Sequence, residues 1–159
     1  MKKMDKDKEI DYFVQETQEQ LMKQLKKQYS ETVIDHWQNP RNFEKCDNAD
    51  GYASVKGSCG DTMEMFVKVK NGKIEQCTFQ TDGCGTTMAC GSMVTEITKG
   101  KSFTEALALV NTEEILKRLG GLPAPDVHCA QLASGTLRRS LADYLNHRKN
   151  LWKKFYRKT

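Results

Sequence analysis

The dipeptide Asn71-Gly72 stands between two runs of alternating hydrophobicity, and no other feature narrows the possible folds so far. Upstream, Met63, Met65, Val67 and Val69 alternate with Thr62, Glu64, Phe66 and Lys68. A period of two puts one set on a buried face and the other toward solvent, which describes a strand over 62–70. Asn-Gly accepts the positive φ that a type I′ turn demands at both central positions, so a return strand follows over 73–81. In plain register Ile74 faces Val69, yet Cys77 and Phe79 fall on the opposite phase. A bulge near Glu75-Gln76 is therefore expected, returning both to the core side. A further short strand over 52–56 completes three antiparallel strands.

Helical patterning surrounds this sheet. Residues 8–38 contain no Gly or Pro, and Ile10, Val14, Thr17, Leu21, Leu25, Tyr29 and Val33 recur at three- or four-residue steps along one face. A long N-terminal helix is expected, broken at Asn39-Pro40, since a residue before proline is pushed out of the α region. It is expected to pack on the domain, with pairing to a second copy as the alternative. Residues 41–51 read as loop. A helix over 87–99 ends at Gly100, and Ser102-Phe-Thr-Glu105 is a capping box opening a short helix to Val110. Another helix spans 112–119. After Gly120, Gly121, Pro123 and Pro125, Asp126 is placed to cap a last helix with Cys129, Leu132, Ala133, Thr136, Leu137, Leu141, Tyr144 and Leu145 on one stripe. The fold class is α+β: a three-stranded antiparallel sheet packed against several helices, with a long N-terminal helix.

Charge and composition set outer bounds. The 159 residues carry a formal net charge of +4, but six Lys/Arg and no acid lie from His147 onward, which leaves the rest of the chain mildly acidic. Nucleic-acid binding is not expected from an acidic body without a stacking platform. No stretch approaches the roughly 18 apolar residues of a membrane span, and the N-terminus lacks the apolar run of a signal peptide. A cytoplasmic protein is expected, in which the six cysteines stay reduced.

Three of those cysteines lie at predicted element ends. Cys59, in "GSCGD", occupies the turn before a strand, Cys84, in "DGCGT", the turn before a helix, and Cys129 the first turn of the last helix beside His128. Free N–H groups and the positive end of the helix dipole would stabilise a Cys129 thiolate, and the glycines flanking Cys59 and Cys84 leave room for close approach to a bulky ligand. Three thiolates with the His128 imidazole or the Asp61 carboxylate make a tetrahedral set suited to zinc or to an iron-sulfur centre. Cys46, Cys77 and Cys90 read as packing residues, although Cys90, six residues after Cys84, also allows a redox pair. Met63 and Met65 read as core, His36 as a surface or packing histidine, and His147 as exposed.

The segments "TVIDHWQNPRNF" (32–43), "GSCGDTMEMFVKVKNGKIE" (57–75), "TDGCGTTMACGSMVTEITKGK" (81–101) and "HCAQLASGTLRRSLADY" (128–144) resemble, in unbroken order, the IscU/NifU N-terminal family of iron-sulfur cluster assembly scaffolds. The likeness covers about residues 30–146, dividing the chain into an N-terminal helical extension (1–29), the scaffold-like domain (30–146) and a basic C-terminal tail (147–159). It maps the family's cluster cysteines onto Cys59, Cys84 and Cys129, its aspartate onto Asp61 and its histidine onto His128. It implies a scaffold and carrier, not a turnover enzyme. Such a protein accepts sulfur from a cysteine desulfurase, with Cys129 as acceptor, binds iron, transiently holds a [2Fe-2S] cluster and passes it to recipient apo iron-sulfur proteins; zinc can occupy the same ligands. Where many members carry L-P-P-V-K, read by an Hsp70-type chaperone, this chain has "LPAPDV", which puts chaperone-driven release in doubt. The rival readings are a zinc-bound sulfurtransferase relaying persulfide from the desulfurase, and a zinc-stabilised interaction module.

Overall fold

The computed structural model describes residues 6–156; residues 1–5 of the N-terminal extension and Arg157, Lys158 and Thr159 of the basic tail lie outside them. The order of elements is α1 (Lys6–Gln28), α2 (Glu31–Gln38), β1 (Gly51–Lys56), β2 (Thr62–Lys70), β3 (Lys73–Thr81), α3 (Gly85–Thr98), α4 (Phe103–Leu109), α5 (Thr112–Leu119), a 3-10 turn (Ala124–Asp126) and α6 (Val127–Tyr156).

The sheet is a meander in the order β1-β2-β3, antiparallel throughout. Asn71 and Gly72 both take positive φ, 52° and 74°, as the two-residue turn requires. Lys68 pairs with Gln76 and Val69 with Ile74, so Glu75 is the extra residue of a bulge. Its effect is the expected one: Ile74, Cys77 and Phe79 are all buried, at 1%, 2% and 0% exposure. The α+β class and the long N-terminal helix are likewise as read from the sequence.

Helices α3 and α6 close one side of the sheet. α6 lies across β1 and β2, α3 against β3 and α6, α2 against α3, and α5 against α6. Met63, Met65 and Val67 from β2 meet Phe79 from β3, Val94 and Ile97 from α3, and Leu137 and Leu141 from α6 in one buried cluster. Burying a side chain of this size contributes about 1.5–3 kcal/mol. Gly91 is what lets α3 approach β3, since a Cβ there would come 2.5 Å from the Phe79 ring.

Three sequence expectations are corrected. The helical stripe over 8–38 is two helices, because Ser30 leaves the α region (φ −65°, ψ 159°) and its hydroxyl caps α2 by accepting from the Val33 N–H. The same hydroxyl donates to the Leu119 carbonyl, which ties the break to α5. Second, α1 does not pack its apolar face on the domain: none of its residues is buried, and Ile10, Tyr12 and Phe13 are 60–71% exposed. Third, Asp126 does not cap α6. It belongs to the 3-10 turn that runs directly into that helix, and its carboxylate accepts from the Tyr29 hydroxyl at 2.7 Å. At its far end α6 continues unbroken through His147 to Tyr156. No helix among the described residues is long and apolar enough to cross a membrane.

Candidate functional site

Two loops and a helix start meet beyond one end of the sheet. The β1–β2 loop is a tight turn in which the Gly57 N–H donates to the Asp61 carbonyl and Gly60 takes φ +92°. It is stapled to the β3–α3 loop by the Thr62 N–H donating to Asp82 Oδ1 (2.6 Å) and by the Thr81 hydroxyl donating to the Thr62 carbonyl (2.7 Å). These bonds bring the Cys59–Asp61 turn beside Cys84. The first turn of α6 supplies His128 and Cys129.

Thr87, fully buried in the first turn of α3, is the point on which the candidates converge. Its Oγ1 lies 2.8 Å from Asp61 Oδ2, 3.3 Å from Cys129 Sγ and 3.6 Å from Cys84 Sγ. His128 Nε2 is 3.6 Å from Cys129 Sγ. Cys59 is exposed on the same turn as Asp61, two residues before it. The five residues singled out from the sequence therefore occupy one region. They do not close into a coordination set: among the described residues no three His, Cys, Asp or Glu groups are arranged to hold a metal ion.

The two helix-start cysteines have opposite electrostatics. Cys84 is the exposed N-cap residue of α3. Burial of part of its surface works against ionisation, but the N–H and hydroxyl groups of Thr87 and Thr86 outweigh it and hold the thiol below its usual value. Cys129 is fully buried, and burial pushes its thiol up to about 12 despite the Thr87 hydroxyl, with nearby Cys84, Asp126 and Cys59 adding to the rise. The expectation of a thiolate at Cys129 is thus reversed, and the thiolate-favouring position is Cys84. Cys77, raised to about 12, and Cys90, raised well above its usual value, both by burial, are packing residues; Cys90 is wholly buried in α3 and all six thiols are free.

The glycines flanking Cys84 have a steric role of their own, while Gly60 beside Cys59 faces open space. A Cβ at Gly83 would lie 2.6 Å from Asp61 Oδ2 and 2.8 Å from Thr87 Cβ, and one at Gly85 would collide with the Trp37 indole. Their missing side chains make room for Asp61, Thr87 and Trp37. Thr87, Tyr29 and Trp37 were not read from the sequence as parts of this region. Tyr29 packs edge-on against Trp37, with ring centroids 6.3 Å apart, and donates to Asp126. Only Thr87 had a local signal, as a hydroxyl three residues after an N-cap cysteine.

Residues 28–151 match the NifU-like N-terminal domain. The chain belongs to that family. Its NifU-like domain takes in Tyr29 and reaches past His147, beyond the 30–146 span of the motifs. Among relatives, the iron-sulfur cluster assembly scaffold protein IscU 1 of Archaeoglobus fulgidus is 46% identical over 123 residues, covering 77% of this chain and 78% of that one. The scaffold protein IscU of Escherichia coli K12 is 45% identical over 125 residues, covering 76% of this chain and 96% of its own. Among solved structures, a putative iron-sulfur cluster assembly scaffold protein for the SUF system from Fervidobacterium islandicum superposes with a TM-score of 0.59 at 26% identity, covering 71% and 96% of the two chains. The NifU-like N-terminal protein of Brucella abortus shares the fold, with a TM-score of 0.59 at 15% identity.

Proposed function

We propose that this NifU-like chain is an iron-sulfur cluster assembly scaffold, a carrier whose cargo is iron and sulfide. The observation that carries the reading is the convergence of Asp61, Cys84 and Cys129 on Thr87, with His128 against Cys129 and exposed Cys59 on the adjoining turn. Thiolates suit iron and sulfide, while a carboxylate is a harder and weaker partner and an imidazole an adequate substitute. A mixed set of this kind, partly open to solvent, holds cargo less firmly than four buried thiolates would. That is the property a transfer site needs.

In this reading the ligands come from Cys59, Asp61, Cys84, His128 and Cys129, and the cargo is a [2Fe-2S] cluster, with zinc able to take the same ligands. Sulfur arrives from a cysteine desulfurase persulfide. A scaffold thiolate attacks the outer sulfur, the desulfurase cysteine leaves as thiolate, and a persulfide remains on the scaffold. Cys129, which is buried, is the assigned acceptor, and Cys84 is the exposed thiol beside it. An external electron donor, such as a dithiol, reduces the persulfide sulfur to sulfide at two electrons per sulfur, iron joins it, and the loaded protein passes its cluster to apo iron-sulfur proteins. The basic tail and α1 remain outside this chemistry, which belongs to residues 30–146. A reducing cytoplasm fits six free cysteines.

Anaerobic reconstitution with ferrous iron, cysteine, a cysteine desulfurase and a dithiol reductant that takes the persulfide sulfur to sulfide tests this. Visible sulfide-to-iron absorption with about two irons per site is expected, and Cys84→Ser loses most of that uptake. A colourless protein that still accepts labelled sulfur supports the zinc-bound relay instead. Unchanged iron uptake by Cys84→Ser overturns the ligand set.

A further inference from the structure

Three buried threonines inside the helices share one habit, which Thr87 does not follow. Thr95, Thr98 and Thr136 each turn the hydroxyl back onto a carbonyl of their own helix, at 2.6–2.8 Å. The Thr87 hydroxyl instead meets side chains from three separate elements: Asp61 of the β1–β2 loop, Cys84 at the head of α3 and Cys129 in α6. The shortest of these contacts, 2.8 Å to Asp61 Oδ2, is a bond to a carboxylate, the stronger kind. The backbone is shaped around it. Gly83 is the residue whose absent Cβ leaves the Asp61 carboxylate and the Thr87 side chain free to meet.

We propose that Thr87 is a positioning residue of the scaffold site: its hydroxyl gathers Asp61, Cys84 and Cys129 from three elements and orients the Asp61 carboxylate, so that the ligands are arranged before metal arrives. The inference rests on the scaffold reading above and names a residue that binds no metal itself. Outer partners that orient metal ligands are worth about 10–100-fold in affinity. Ordering three elements in advance also removes part of the conformational cost of binding.

The test compares the full chain with Thr87→Val, Thr87→Ser and Thr87→Ala. Zinc affinity is measured by competition with a chromophoric chelator, the cobalt(II) charge-transfer and d–d bands report the ligand set, and metal-free melting controls for folding. Expected is a roughly tenfold or greater loss of zinc affinity with an altered cobalt spectrum in Thr87→Val and Thr87→Ala. Thr87→Ser should stay within about threefold of the parent, because it keeps the oxygen. Serine and alanine differ in that oxygen alone, so their comparison decides the matter even if the valine variant does not fold. Equal affinity in Thr87→Ala and the parent overturns the proposal, as does an equal loss in the serine and alanine variants, which would assign the effect to the missing methyl. If the parent chain binds neither zinc nor cobalt, the scaffold site itself is wrong and the role of Thr87 falls with it.

Discussion

Cys84 and Cys129 both sit at the start of a helix, and their thiols are driven in opposite directions. Backbone N–H groups of the helix start reach only Cys84. What also separates them is solvent: Cys84 caps α3 on the surface, whereas Cys129 is covered, so burial dominates. His36 is a second case of burial deciding a charge. Its Nδ1 is 2.7 Å from Ser92 Oγ, which also accepts from the Arg41 N–H, and its Nε2 faces Glu96 Oε2 at 3.5 Å. Burial, then Arg41, lowers the His36 pKa against the opposing pull of Glu96 and Asp35. With a folded pKa below the unfolded value near 6.5, the unfolded chain binds more protons. The stability from neutral His36 is whole above that value and is lost as pH falls through the depressed folded pKa. Melting temperature is expected to drop between pH 7 and pH 5.5, and His36→Gln should flatten that drop. Equal slopes would show that His36 is not the group responsible. Its residue type was legible in the sequence, but not its burial, which depends on α2 meeting α3.

At the scale of elements, legibility followed the range of the interactions. The hairpin turn, the Glu75 bulge and the Ser102–Glu105 capping box, with both reciprocal bonds formed, are fixed by contacts a few residues apart, and the pattern displays them. The break at Ser30 was hidden because the apolar stripe runs through it at helical spacing. It is set by a cap and by the distant Leu119 carbonyl. The 3-10 turn before α6 was hidden in the same way, since Asp126 looks like a cap until Tyr29 claims its carboxylate. Helix α1 follows from this. It buries none of its own residues and touches the rest of the fold chiefly through α2. Deleting residues 1–28 is therefore expected to move the melting midpoint by only a few degrees and to leave zinc affinity unchanged. A loss of about 10 °C or more would mean that α1 covers apolar surface in solution, since 1 kcal/mol corresponds to roughly 2–4 °C in a chain of this size.

The whole molecule gathers its apolar side chains in one cluster drawn from β2, β3 and helices α2 to α6, and the candidate ligands lie at its margin, with only Cys129 inside it. A core of that extent does not depend on metal for folding. Chelation with EDTA is expected to leave a cooperative thermal transition and native far-UV dichroism, with a modest fall in midpoint set by lost ligand binding. Collapse to an unfolded spectrum would support the zinc-stabilised interaction module instead. The identity of the five candidate ligands was legible because each lies in a turn or first helical turn with a recognisable motif. Their gathering around one buried hydroxyl was not, because it needs three elements placed in space.

The bare backbone at Gly85 lets the Trp37 indole lie against the residue next to Cys84, while the chain's other tryptophan, Trp152, stands 60% exposed near the far end of α6. One fluorophore thus borders the cargo position and the other looks out on water. The protein carries a built-in optical gauge: light from the Trp37 indole, itself 37% exposed, changes when iron, sulfide or zinc settles beside it, and Trp152 supplies an internal reference.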